Sequence, residues 1–186
     1  MIRLKQALSI DFEGLMGAGK TTVIKRLAAE VSPQTETLWF GTGFPYSLKR
    51  ATRDETSILE WVSYRQRILR QLSACTDLLL MERSSFCDFS NLCFRKRLIT
   101  AAELLPLTRS WWPTFVVLIA TPFDDCLKNM VKRGDTPDVT DLVLFQESLD
   151  QTREFLKELL GPRLVIVGNG DEAYEFARTQ IRIRRT

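Results

Sequence analysis

A lysine and two threonines, Lys20, Thr21 and Thr22, close a glycine-rich run, Gly14-Leu15-Met16-Gly17-Ala18-Gly19. From Gly14 to Thr21 the spacing is G-x-x-x-x-G-K-[ST]. The flanks suit it: a short apolar strand over Ala7 to Glu13 comes before, and a helix over Lys20 to Val31 follows. Glycines at 14, 17 and 19 allow turn conformations that a Cβ would forbid, so successive N–H groups can converge on phosphate oxygens. The N-terminal end of the helix adds positive potential. Lys20 would then be a point charge on the β/γ-phosphates, with the Thr21 hydroxyl a ligand for the accompanying Mg²⁺. A ligand-free glycine turn is the plainer reading, and the placement between strand and helix weighs against it.

A second group with chemical potential is Glu82-Arg83-Ser84, preceded by Leu78-Leu79-Leu80-Met81. Four apolar residues in a row are what a strand buried on both faces requires. Glu82 and Arg83 would therefore stand at the C-terminal edge of a central strand, where open parallel sheets bind ligands. Glu82 is placed to reach a metal through water, and Arg83 to meet a transferring phosphoryl group or its acceptor. An ordinary ion pair at a strand end is the alternative.

The elements that must position these groups alternate strand and helix. Strands are expected at Ala7 to Glu13, Thr37 to Phe40, Leu78 to Met81, Phe115 to Ala120 and Leu164 to Val167. Between them, Ser57 with Glu60 and Thr100 with Glu103 have the spacing of capping boxes. Pro122 suits the first position of a helix capped by Thr121, and Asp171 is placed to cap the last helix. Lys132 to Asp138 reads as a charged loop. The expected architecture is α/β: five parallel strands with helices on both faces and right-handed crossovers.

The 186 residues fit a single domain, 45% hydrophobic and 26% charged, with a formal charge of +3. No apolar run is long enough for a membrane span. The N-terminus runs straight into the first strand, leaving no room for a secretory signal, so an intracellular, cytoplasmic or organellar-matrix location is expected. There is no histidine, and the four cysteines (Cys75, Cys87, Cys93, Cys126) form no C-x-x-C pair. A zinc site is disfavoured and a His-activated nucleophile is excluded; free thiols are the expectation. Arg178, Arg182, Arg184 and Arg185 read as a solvated tail rather than a nucleic-acid patch.

Phe12-Glu13-Gly14 leading into the glycine loop, then Glu82-Arg83-Ser84 with Asp88 four residues after the serine, resembles the deoxynucleoside kinases and their relatives the thymidylate kinases. Ala120-Thr121-Pro122, Cys126-Leu127 and Arg133-Gly134 extend the resemblance over most of the chain. It implies a P-loop nucleoside/nucleotide kinase fold in one domain, with a lid loop at about 132–139 carrying Arg133, and ATP and Mg²⁺ as cofactors. The acceptor it implies is a small molecule, a nucleoside or nucleoside monophosphate, with the 5′-hydroxyl of a deoxynucleoside as the main reading. Neither membrane nor nucleic acid enters, and a homodimer is compatible.

By the same resemblance Lys20, Glu82, Arg83 and Arg133 are the catalytic set, residues 14–22 hold the nucleotide, and Thr21 and Glu82 serve the metal. Glu60, Tyr64, Arg67, Arg83 and Asp88 would bind substrate. In this register Glu60 takes the place of a base-reading glutamine; a thymidylate kinase register instead puts Arg65 in the helix arginine's position. Two departures stand out. The family's Glu-Pro after strand two, which supplies the general base, is replaced by Gly41-Thr42-Gly43-Phe44-Pro45, and the lid pairs Arg133 with Asp135 and Asp138 rather than with further arginines. A thymidylate or deoxynucleoside monophosphate kinase, or a nucleotide-binding regulator without turnover, are therefore the alternatives.

Overall fold

A computed structural model of the chain describes residues 7–31, 37–41, 55–109 and 111–185. The N-terminal hexapeptide, the Ser32-Pro33-Gln34 break, the Thr42 to Pro45 stretch and the connection to Asp54 lie outside the described residues. Strands β1 (Leu8–Gly14), β2 (Thr37–Gly41), β3 (Leu78–Glu82), β4 (Phe115–Ile119) and β5 (Leu164–Val167) pair in the order β2-β3-β1-β4-β5, every pairing parallel. Helices connect them: α1 (Lys20–Glu30), α2 (Glu55–Cys75), α3 (Ser85–Asp88) running into a π-helical segment (Phe89–Arg95), α4 (Ala101–Thr108), α5 (Phe123–Lys132), α6 (Val139–Leu160) and α7 (Gly170–Arg185). The chain is thus α/β with a parallel sheet, as its strand–helix alternation predicts.

Register decides which residues share a face. Leu8, Ile10 and Phe12 align with Leu78, Leu80 and Glu82 on one side of the sheet, and Ile10, Phe12 and Gly14 align with Phe115, Val117 and Ile119 of β4. Helices α1 and α7 cover this face. Phe176 of α7 meets Phe115 edge-on, with ring centroids 5.2 Å apart, and Val23, Ile24 and Leu27 of α1 are fully buried in the same core. On the opposite face Leu79 and Met81 pack with Leu69 and Leu72 of α2 and with Trp111. Ser9, Asp11 and Glu13 belong to this second face too, and all three are buried. Alternating polar residues usually mark a solvent-facing side; here α2 and α3 cover them.

The Thr100–Glu103 capping box forms as expected. Three other helix starts differ. Helix α2 begins at Glu55, so Ser57 lies inside it. The last helix is capped by Asn169, whose side chain accepts from Glu172 N (3.0 Å) while the Glu172 carboxylate accepts from Gly168 N (2.7 Å); Asp171 is left in the first turn. Pro122 stands at the cap of α5 rather than inside it, and the Thr121 hydroxyl turns to the Ala18 carbonyl, 3.4 Å away. A threonine that reads as a helix cap is thus a strut for the glycine loop. All four cysteines are free. No helix among the described residues is long and apolar enough to cross a membrane.

Candidate active site

β1 ends in Gly14 and the chain turns through Leu15 to Gly19 before α1 starts. Glycine is required at two of these positions by space as well as by backbone. Gly14 (φ 139°) and Gly17 (φ 86°) lie so close to other chain segments that a Cβ would sit 2.6 Å from the Ile119 carbonyl oxygen and 2.3 Å from that of Cys126. Asn129 of α5 ties down the same loop, donating to the Gly17 carbonyl at 3.0 Å. Gly19 begins α1 with no side-chain cap, so the first backbone N–H groups of the helix are open to an anion. Thr22 is exposed on the outer side of α1.

Lys20 is buried and folds back over the loop, donating to the carbonyls of Gly14 (2.9 Å) and Leu15 (2.8 Å). Burial, helped by the nearby Arg83 charge, brings its pKa down to about 8. Thr21 reaches across to β3 and donates to Glu82 Oε2 at 2.8 Å. A hydroxyl beside a carboxylate is a hard-oxygen donor pair that fits Mg²⁺. Among the described residues no cluster of three or more acidic, cysteine or histidine side chains could hold a metal unaided, and Mg²⁺ characteristically completes its shell with phosphate oxygens and water. The sequence-derived pairing of Lys20, Thr21 and Glu82 is thus brought together at one edge of the sheet.

Arg83 has φ 65°, a left-handed conformation that costs a long side chain about 1–3 kcal/mol, and its Nε is buried with no hydrogen-bond partner. The next residues are held from β1. Glu13 Oε1 accepts from both Ser84 N and Cys87 N at 3.0 Å, and Asp11 accepts from the Ser84 hydroxyl. Burial pushes Asp11 up to about 6 and Glu13 well above the ordinary carboxylate range; for Glu13 the neighbouring Asp11 adds to the rise. The Cys87 thiol is pushed up to about 12 by burial and the charge of Glu13, so it stays neutral and is no nucleophile.

Asp88 pairs with Arg65 of α2, and both side chains are buried. Burial lowers the arginine to about 10, which leaves it a cation, and its guanidinium lies 4.7 Å from the Trp61 ring centroid. Beside it Gln66 donates to Ser85. Arg65 and Gln66 thus lie on the sheet-facing side of α2. Glu60, Tyr64 and Arg67 are exposed on the other side of the helix, where Arg67 stacks on Tyr64 and the three line a shallow groove with Leu59 and Ser63. They do not meet Asp88; the arginine of α2 that does is Arg65, not Arg67. Residues two apart on a helix point about 200° away from each other, and only one can face the sheet.

Arg133 follows α5, is 56% exposed and pairs with Asp135 at 2.8 Å; the loop to α6 spans 133–138, closed by Asp138 as the cap of α6. Sequence reading passed over Asp11, Glu13, Gln66, Asn129 and the role of Thr121. For Arg65 and Gln66 a signal existed: position 65 falls on the buried stripe of Ile58, Val62 and Leu69.

This strand order with a glycine loop after β1 is the fold of the P-loop nucleotide kinases. Among solved structures it is similar to thymidylate kinases. The enzyme from Candida albicans matches with a TM-score of 0.65 at 16% identity, covering 97% of this chain and 93% of that one. The enzyme from Ehrlichia chaffeensis matches with a TM-score of 0.62 at 13% identity, covering 95% and 99%. No family model matches the sequence, nor does any curated protein. The likeness is one of fold.

Proposed function

We propose that the protein is an ATP- and Mg²⁺-dependent phosphotransferase whose acceptor is a deoxynucleoside monophosphate of the thymidylate class. The observation that carries this reading is Arg83. Its buried Nε lacks a partner at the same sheet edge as Lys20, Thr21 and Glu82. A buried guanidinium N–H calls for an anionic acceptor, and a bound monophosphate offers one from the start. The fold, similar to that of thymidylate kinases, points the same way, as does the register that makes Arg65 the inward arginine.

When bound, ATP supplies the γ-phosphoryl group and Mg²⁺ neutralises charge on its oxygens. Lys20 and the uncapped start of α1 hold the donor phosphates, Thr21 and Glu82 are the metal's protein-side oxygens, and Arg83 holds and orients the acceptor phosphate. Positioning and charge stabilisation do the catalytic work in such transfers. General-base help is worth about 10²–10⁴-fold to a neutral hydroxyl, whereas an ionised phosphate acceptor needs none. The Gly41 to Pro45 stretch contains no carboxylate.

A deoxynucleoside kinase is the second reading, favoured by Glu82-Arg83-Ser84 followed by an Asp88 that meets an arginine. Release of ADP from ATP with each deoxynucleoside monophosphate and each deoxynucleoside in turn separates them. Turnover with one or more monophosphates is expected. Turnover with nucleosides alone would favour the second reading, and ATP binding without any transfer would leave a nucleotide-binding regulator.

A further inference from the structure

The two buried carboxyls of β1 point away from the metal end of the site. Thr21 and Glu82 meet on the face of Phe12, while Asp11 and Glu13 lie on the other face, where both contact the start of α3. Ser84, the residue before α3, makes no cap with its own side chain, because its hydroxyl is turned to Asp11. The open N–H groups at this helix start are taken up instead by Glu13 Oε1, which receives Ser84 N and Cys87 N, each at 3.0 Å. Immediately before this double anchor stands Arg83 in its left-handed conformation. A long side chain leaves that conformation unless its neighbours over-determine it. The backbone on one side of Arg83 is β3, held in register to β1; on the other it is Ser84, held to Glu13.

We propose that Glu13 is a positioning residue for the acceptor side of the reaction: its carboxyl fixes the backbone after Arg83, and so aims the Arg83 guanidinium. This rests on the reading of Arg83 as the acceptor-phosphate ligand. Asp11, through Ser84, is the second and weaker half of the same anchor. The carboxyl works as an acceptor of two N–H bonds, so an amide oxygen at the same place does the same work, whereas a methyl group does not.

The test uses Glu13→Gln, Glu13→Ala and Ser84→Ala, each made in the wild type and in an Arg83→Ala background. Glu13→Ala is expected to raise KM for the monophosphate by about tenfold or more with KM for ATP changed less than about twofold, and Glu13→Gln to restore it to within about threefold. Ser84→Ala should give a smaller shift of the same kind. In the Arg83→Ala background all these effects should vanish. Equal losses in both backgrounds, or Glu13→Gln as damaging as Glu13→Ala, would overturn the proposal. Should Glu13→Ala not fold, Glu13→Leu, which fills the space but accepts no hydrogen bond, carries the cycle. A readout without turnover keeps this apart from the functional reading: the Arg83 Nε–H resonance, assigned by its loss in Arg83→Lys, should be slow to exchange in the wild type and in Glu13→Gln, fast in Glu13→Ala, and between the two in Ser84→Ala. Unchanged exchange in all of them would sink the anchor whatever the enzyme phosphorylates.

Discussion

Thr21 at the start of α1 donates to Glu82 at the tip of β3 across 2.8 Å, joining two positions 61 residues apart in sequence. On the proposed reading the contact spans the donor side of the site, since Thr21 follows Lys20 and Glu82 precedes Arg83. If the two share one metal ion, their substitutions must be non-additive. Thr21→Ala and Glu82→Gln are each expected to lower kcat by about 10²-fold, on the scale of losing one electrostatic stabiliser, and the double variant by little more than either alone. Steady-state rates against Mg²⁺ concentration check this. Thr21→Ser, which keeps the hydroxyl, should stay close to wild type.

Lys20, at about 8, is partly unprotonated in weakly alkaline solution because burial disfavours its charge. Phosphate anions beside it favour the charged form, so ATP binding should take up protons, hardly any near pH 6.5, up to about half a proton at pH 8 and more above it. Calorimetric titrations in buffers of different ionisation enthalpy measure the uptake. In Lys20→Ala the uptake should disappear and turnover should fall by about 10²-fold or more.

Asp11 gives a pH dependence of stability with a definite sign. Its folded pKa, raised by burial to about 6 from 3.8, means that the native state binds more protons than the unfolded chain between those values. Stability contributed by this group is therefore highest below about pH 4 and is lost as pH rises towards 6; Glu13, raised further, extends the loss upward. Asp11→Asn removes the titration. Relative to wild type it should gain Tm between pH 4 and pH 7, by about 4 °C or more for a chain of this size, as thermal melts across that range would show.

Arg65 and Asp88 form a buried pair, so removing one partner strands the other. Arg65→Ala should cost about 3–5 kcal/mol, and Arg65→Met with Asp88→Leu should recover most of it. Arg67→Ala, on the exposed side of α2, should stay within about 0.5 kcal/mol of wild type and leave KM for the acceptor unchanged. Denaturant melts and acceptor titrations distinguish the two arginines, and reversed results would restore the other register.

The glycine loop, the strand before it and the helix after it were legible in the sequence because their signals are local: the backbone of Gly14, Gly17 and Gly19, the lysine and the threonine act within a few residues of one another. Glu82 and Arg83 were legible for the same reason, as polar residues that end a fully apolar run. What tertiary structure decided was facing and covering. The alternation Ser9, Asp11, Glu13 says that one side of β1 is polar. It does not say that α2 and α3 close over that side, leaving two carboxyls to anchor Ser84 and Cys87 instead of meeting water. Arg65 and Arg67 are equally arginine-like in sequence, and the sheet covers one side of α2 only, so burial selected Arg65 for Asp88. Thr121 and Asn129 were called to the glycine loop by the packing of α5 against it, over more than 100 residues of chain. Local stereochemistry carries no information on which distant segment arrives; that is set by which apolar faces can be buried together.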